Sequence, residues 1–511
     1  MSLASVIDTA LSRDGEAPAL IYENRAFDWP WIRTAADALT ALLAEAGIAP
    51  GLPVGIVARN RPAFAAALLG MMRDGRSMAM IYALQSPEAI AADIAALQLA
   101  AVVADIADWS PEARAAATNA GTLAIGLDSA ALVPVAPVSG SSYSRRTQHR
   151  GPFVEPGIEL LTSGTTGKPK RLPMSYDLIE RSMIGESIVV TGRTSPDARV
   201  APAHLYLPFG NISGLYGLLP NVAAGRTCLL KEKFSLDVWR EIIRTYRPGN
   251  TGLPPAGVQM VLEAGVPAEE LSCLEFISTG AAPLDRQVQW EFEERYGIPI
   301  LTSYGATEFG GPVTLMTPEL RRTFGREKFD SVGRAWAGAQ LRIIDPGSFE
   351  ELPAGATGLL EVCTPRLGPK WIRTSDLAMI DADGFMFHRG RADGAINRGG
   401  FKILPETVVE ALRKHPAIAA AAVAGLPDAR LGQVPVAAIQ LHPQAEAPSE
   451  AELIAHARRH LYRTHVPAKF LIVDELPRTQ SLKVSIPGVL ALFTESKIRK
   501  IRISPPKSRS S

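Results

Sequence analysis

Cysteine is scarce in this chain: Cys228, Cys273 and Cys363 are isolated among 511 residues and show no metal-ligand spacing. They leave no evident disulfide framework and no cysteine metal site, which suits a reducing compartment. Long apolar runs are missing too, and none approaches the roughly 18 residues of a membrane-spanning helix. The start, Met1 to Asp14, carries acids and lacks the apolar core of about 7–15 residues that marks a secretory signal, so a soluble, cytoplasmic protein is expected. Net charge is nearly absent, with 53 Lys and Arg against 52 Asp and Glu. Six of the basic residues lie in the last fifteen positions, which leaves 47 against 52 in the body, a net of −5. That balance offers nothing to a nucleic acid, and none is expected as a partner.

What is present is an ordinary globular composition, 47% hydrophobic and 21% charged, in a chain too long for one core. Residues 33–48, 61–74 and 87–99 space their apolar side chains as helices. Val54-Gly55-Ile56-Val57 and Ala101-Val102-Val103-Ala104 are short, wholly apolar runs between them. Such alternation predicts a parallel sheet covered by helices on both faces, an α/β fold. Residues 139–150 are polar and basic and predict a mobile connector. The alternation resumes from 175 to about 300, with helices near 235–247 and 285–296. From 331 to 389, short alternating runs split by Gly and Pro predict a small antiparallel β subdomain. Beyond Asp393 a compact α+β unit follows, with helices near 405–414 and 449–462. The tail 497–511 has no core to join and is expected to be disordered.

One loop carries more chemistry than the rest. Thr162-Ser163-Gly164-Thr165-Thr166-Gly167-Lys168-Pro169-Lys170 directly follows the apolar run Ile158-Glu159-Leu160-Leu161. Backbone N–H groups, hydroxyls and lysines in this density can wrap a polyphosphate. The spacing excludes the common P-loop, because only two residues separate Gly164 from Gly167 and Pro169 follows the lysine.

This loop resembles the phosphate-binding signature of the acyl-adenylate-forming superfamily, whose branches include acyl-CoA synthetases and carrier-loading adenylation domains. Further blocks resemble that family in order. They are Ser278-Thr279-Gly280-Ala281-Ala282-Pro283-Leu284, Ser303-Tyr304-Gly305-Ala306-Thr307-Glu308 and Arg373-Thr374-Ser375-Asp376, then Gly390-Arg391-Ala392-Asp393, Gly399-Gly400-Phe401-Lys402-Ile403 and Leu476-Pro477-Arg478-Thr479-Gln480-Ser481-Leu482-Lys483. The resemblance runs from near residue 20 to about 490. It implies a large N-terminal domain over 1–392, of two doubly wound sheets in αβαβα layers plus a small β-barrel subdomain. It also implies a mobile α+β C-terminal domain over 393–496, leaving 497–511 as a basic tail.

The implied reaction joins a carboxylate to the α-phosphate of ATP, releases pyrophosphate, and passes the acyl group from AMP to the thiol of coenzyme A. By resemblance, Thr162, Ser163, Gly164, Thr165, Thr166, Gly167 and Lys168 would clasp the β- and γ-phosphates, Glu308 would hold Mg²⁺, and Thr307 would touch the α-phosphate. Gly280, Ala281, Ala282 and Tyr304 would form the adenine slot. Asp376 would accept the ribose hydroxyls with Arg391 nearby, and Lys483 would bridge the carboxylate and the α-phosphate. Asp393 matches the family's hinge, and Gly399 and Gly400 would line the thiol tunnel.

The family usually has glycine where this chain has Ser375 and Leu482; if that second glycine takes a positive φ, leucine there costs about 1 kcal/mol. Asn211 stands where many acyl-CoA synthetases have histidine, and with Ile212, Phe309 and Gly310 would form the acyl pocket. No acid occurs between 205 and 230 to pair an α-amine, which argues against an amino-acid substrate. Gly310 and Gly311, lacking side chains, are expected to leave room for a bulky hydrophobic carboxylate. A carrier-protein thiol in place of coenzyme A, or an adenylate-binding protein without turnover, are the alternatives, and a homodimer is compatible with the resemblance.

Overall fold

The computed structural model describes residues 2–14, 17–83, 85–131, 134–144, 148–161, 171–185, 201–398, 401–428, 431–479 and 482–495. The expectations for 162–168, 399, 400 and 497–511 lie outside them. The first layer is a seven-stranded sheet in the order Val135–Pro137, Leu123–Leu127, Ala101–Asp105, Val54–Ala58, Met78–Tyr82, Gly157–Leu161, Arg171–Ser175. Its five central strands are parallel and the two edge strands antiparallel. The central strands Val54–Ala58, Ala101–Asp105 and Leu123–Leu127 are buried at every position, which is why they read as unbroken apolar runs. The helices Pro87–Leu97 and Pro111–Asn119 start where Ser86 and Ser110 accept the N–H three residues on and proline occupies the first turn. By contrast, Pro62–Arg73 is buried on all sides from Pro62 to Met72.

A second sheet runs Asn250–Gly252, Phe276–Thr279, Ile300–Ala306, Gly311–Leu315, Arg334–Ala335 and turns from parallel to antiparallel after Ile300–Ala306. A further four-stranded sheet pairs Ala203–Leu205 and Cys228–Leu230 with the N-terminal hairpin Leu20–Tyr22 and Arg25–Phe27. The β subdomain expected after residue 331 is an antiparallel meander of Gln340–Ile344, Thr357–Thr364, Gly368–Ile380 and Met386–Arg391. Past it, Ile396–Arg398, Phe401–Ile403, Ile418–Asp428, Gly432–Leu441 and Lys469–Val473 form a separate sheet, with helices Pro405–Arg413, Glu450–His460 and Ile486–Glu495. The described part of 139–150 has no helix or strand but is pinned. The Arg150 N–H donates to the Gln98 carbonyl at 2.8 Å, and its guanidinium grips buried Glu159 at 2.8 and 2.9 Å.

Asn60 ties the first layer to the segment 207–211. At 4% exposure it donates to the carbonyls of Leu207 (2.9 Å) and Lys231 (3.2 Å) and accepts from the Phe209 N–H at 3.1 Å. Losing one partner leaves buried backbone groups unpaired, each at about 1–3 kcal/mol. Asn60→Ala is therefore expected to lower unfolding stability by about 3 kcal/mol in urea titration. A loss under about 1 kcal/mol would mean that these groups find other partners.

Candidate active site

The strand Ile300–Ala306 pairs antiparallel with Gly311–Leu315 but slips register between Tyr304 and Gly305. Such a bulge re-aims the neighbouring side chains. The Tyr304 hydroxyl then reaches out of its sheet and donates to Asp376 Oδ2 at 2.5 Å. At the carboxyl end of the strand, Thr307–Phe309 make one 3₁₀ turn closed by Gly310 at φ +72°. This turn leaves Glu308 exposed. The carboxyl end of Phe276–Thr279 continues into Gly280, Ala281 and Ala282. A Cβ on Gly280 would lie 2.6 Å from Ser303 Oγ, and Ala281 takes φ +64°. The small residues thus let this bend press against the strand that carries Tyr304.

Asp376 lies on Gly368–Ile380 and is 9% exposed. Besides Tyr304 it meets His388 Nε2 at 3.5 Å and Arg391 Nη1 at 3.6 Å, and its N–H donates to Thr374 Oγ1 at 3.0 Å. Burial pushes its pKa up, but the hydrogen bonds with His388 and Tyr304 and the Arg391 charge outweigh it and hold the carboxyl below its ordinary value. Burial, then the Asp376 charge, raise the Tyr304 phenol well above its usual range. Arg391 grips Asp393 with two bonds, 2.8 Å to Oδ1 and 2.7 Å to Oδ2, and donates to Ser375 Oγ at 2.6 Å.

Lys483 arrives from the far end of the chain. The Thr479 N–H donates to the Lys483 carbonyl at 2.7 Å and the Leu482 N–H to the Thr479 carbonyl at 2.9 Å, closing a tight hairpin. Leu482 sits at φ +60°, in the left-handed region that favours glycine. Lys483 is half-buried and lies within the electrostatic reach of Arg391, Glu308 and Asp376. Burial, then the Arg391 charge, lower its pKa, while the two carboxylates oppose them. Tyr304, Glu308, Asp376, Arg391, Asp393 and Lys483, from four motifs, are therefore brought together.

The acyl-side residues are placed differently from expectation. Phe309 is 1% exposed and packs among Val313, Ala339 and Ile343, so it belongs to the core shared with the meander and does not form an open wall. The room beside Gly311 is taken by Tyr216, whose hydroxyl donates to the Gly310 carbonyl at 2.8 Å and would lie 2.0 Å from a Cβ on Gly311, and the room beside Gly310 is bounded by Leu178 and Ser182. Asn211 opens the helix Ile212–Ala223 without capping it, and Ile212 packs on the large core. Sequence reasoning missed Tyr216 and His388. The last lies in Phe387-His388-Arg389, a strand beside the Arg391 motif, which was the available signal.

Residues 7–369 match the AMP-binding enzyme family and residues 408–483 the AMP-binding enzyme C-terminal domain. The 2-succinylbenzoate–CoA ligase of Bacillus subtilis is 30% identical over 339 residues, 64% of this chain and 66% of that one. The fatty acid–[acyl-carrier-protein] ligase ScoC of Streptomyces coeruleorubidus is 29% identical over 348 residues, 64% and 66% of the two chains. The chain thus spans about two thirds of the length of these curated relatives. ATP-bound MatB from Rhodopseudomonas palustris superposes with a TM-score of 0.78 at 21% identity over 97% of this chain and 100% of that one. The Bacillus subtilis o-succinylbenzoate CoA synthetase MenE, with its acyl-adenylate, gives 0.73 at 23% identity over 95% and 97%. These likenesses show the same fold. With the first family match spanning well over half of its length, the chain belongs to the AMP-binding enzyme family.

Proposed function

We propose that this protein activates a hydrophobic carboxylic acid with ATP to an acyl-adenylate and transfers the acyl group to coenzyme A. The observation that carries the reading is the convergence of a C-terminal lysine, Lys483, on Glu308, Asp376 and Arg391. Both reactants of the first step are anions. A cation placed between them lowers their repulsion and stabilises charge as it shifts from the carboxylate to the phosphates. A carboxylate oxygen attacks the α-phosphorus and pyrophosphate leaves; the thiol then attacks the acyl carbon and AMP leaves. Lys483 is the point charge for the first step, with Thr307 beside the α-phosphate and residues 162–168 around the leaving pyrophosphate. Asp376, held ionised by its partners, accepts the ribose hydroxyls beside Arg391. Tyr304 and the bend 280–282 flank the base.

Glu308 is exposed, with no hydrogen-bond partner among the described residues, and this fits a hard divalent cation that takes one or two carboxylates plus phosphate oxygens. When bound, Mg²⁺ would neutralise phosphate charge there. Lys483 must leave before the thiol enters, and Asp393 is the hinge in this reading, with Gly399 and Gly400 beside the thiol path. A carrier-protein thiol is the second reading, favoured by the likeness to ScoC.

Pyrophosphate release from ATP and Mg²⁺ with a panel of aromatic, aliphatic and polycyclic acids, with coenzyme A or a loaded carrier, tests the reading. Release that no acid stimulates would sink it. Lys483→Ala is expected to slow adenylate formation about 100-fold or more while leaving thiolysis of supplied acyl-adenylate within a few-fold. Equal loss of both would remove the lysine from this role. Since the ammonium is the working form, activity is full below the folded-state pKa and lost as pH rises through it. The alkaline limb of kcat/KM for adenylation should therefore fall below the ordinary lysine value of 10.5. Tyr216→Ala should shift kcat/KM toward bulkier acids across the same panel; an unchanged ranking would place the acyl group elsewhere.

A further inference from the structure

We propose that Ser375 is a positioning residue that latches the hinge in the adenylate-forming arrangement, its hydroxyl orienting the Arg391 fork that grips Asp393. The inference rests on the reading above, in which Asp393 is the hinge between two half-reactions. Ser375 stands where the related motif usually has glycine, so the latch is a property of this chain and not of the motif.

The geometry is specific. Ser375 and Asp376 lie on Gly368–Ile380, and Asp376 pairs in register with Arg391 at the end of the next strand. The Ser375 hydroxyl accepts from Arg391 Nη2 at 2.6 Å. The Arg391 fork holds both oxygens of Asp393, at 2.8 and 2.7 Å. On the backbone, the Ala392 N–H donates to the Ser375 carbonyl at 2.7 Å. The segment 391–393 is thus held from one side by Ser375 through a hydroxyl and a carbonyl. A glycine could supply the carbonyl but not the hydroxyl.

Rotation about residues 392–394 changes their φ and ψ and carries the Asp393 carboxylate away from the Arg391–Ser375 pair. Bonds made in one arrangement and broken in the other bias the equilibrium by their full difference. When the first arrangement dominates, weakening it raises the minor population in proportion while barely changing the major one. The hydroxyl should therefore restrain thiol transfer much more than adenylate formation.

The test uses the full chain with Ser375→Ala and Ser375→Gly, and Ser375→Thr as the variant that keeps a hydroxyl. Two readouts are compared: trypsin cleavage after Arg391 and Arg398, and single-turnover rates of each half-reaction. The Ala and Gly variants should be cleaved about fivefold faster at an unchanged unfolding midpoint. Thioester formation from supplied acyl-adenylate should also speed up about fivefold, with adenylate formation within about twofold of the parent. The Thr variant should match the parent. Unchanged cleavage overturns the latch, and so does faster cleavage with both half-reactions slowed alike, which is the mark of a merely structural residue. If the parent forms no acyl-adenylate with any acid, the ligase reading fails, and the cleavage comparison alone then decides whether the hydroxyl holds the hinge.

Discussion

The buried carboxylate of Asp376 is the point on which the site depends. Taking a charge out of water is costly, and the cost is offset only if partners surround the ion. Here the partners come from different parts of the chain: Tyr304 from the second sheet, His388 and Arg391 from the neighbouring strand of the meander. Because no single element could satisfy the carboxylate, the second sheet and the meander are obliged to meet in one register. Arg391 then extends the same network to Ser375 and Asp393, where the C-terminal unit begins. Each member is oriented by another, so the network transmits position as well as charge.

A second constraint is that several of the polar groups lie at strand ends. Gly280 to Ala282 follow one parallel strand and Thr307 and Glu308 the next. Open parallel sheets place their ligand crevices beyond the carboxyl ends of the strands. Rigid buried strands fix the positions, and short bends carry the polar groups. The C-terminal unit touches this face through an ion pair of Arg413 with Asp285, and it delivers Lys483 on a hairpin closed by its own backbone bonds.

Much of this was legible because burial and sequence texture are tied. Strands buried on both faces are dominated by apolar residues, so the runs within Val54–Ala58 and Ala101–Asp105 announce themselves. Motif spacing carried the polar residues of the site. What failed were readings that needed the third dimension. Phe309 follows Glu308 in sequence, yet one 3₁₀ turn aims its ring into the core. Gly310 and Gly311 suggested free space, but a residue nearly a hundred positions earlier, Tyr216, fills it beside Gly311. His388 and Arg391 would face opposite sides of a regular strand. The register slip between Asp376 and Ala378 puts two residues of one strand, Arg389 and Gly390, opposite one of the other, Leu377, and the His388 and Arg391 side chains both reach Asp376.

The two positions at which glycine is usual in the related motifs differ in what their replacements can do. Leu482 takes the left-handed conformation that its hairpin requires, at about 1 kcal/mol of strain. The hairpin is closed by Thr479 and Lys483 and braced by Arg478 donating to the Leu482 carbonyl at 3.0 Å, all within the C-terminal unit. Its strain therefore travels with that unit through any rotation and cancels between the two arrangements, so it costs stability without favouring either half-reaction. Ser375 is the opposite case, because its hydroxyl orients Arg391, whose grip on Asp393 across the hinge does not survive rotation. Only an energy that differs between two states can shift their balance. Of the two departures, the serine is the one able to alter how this chain divides its time between making an adenylate and using it.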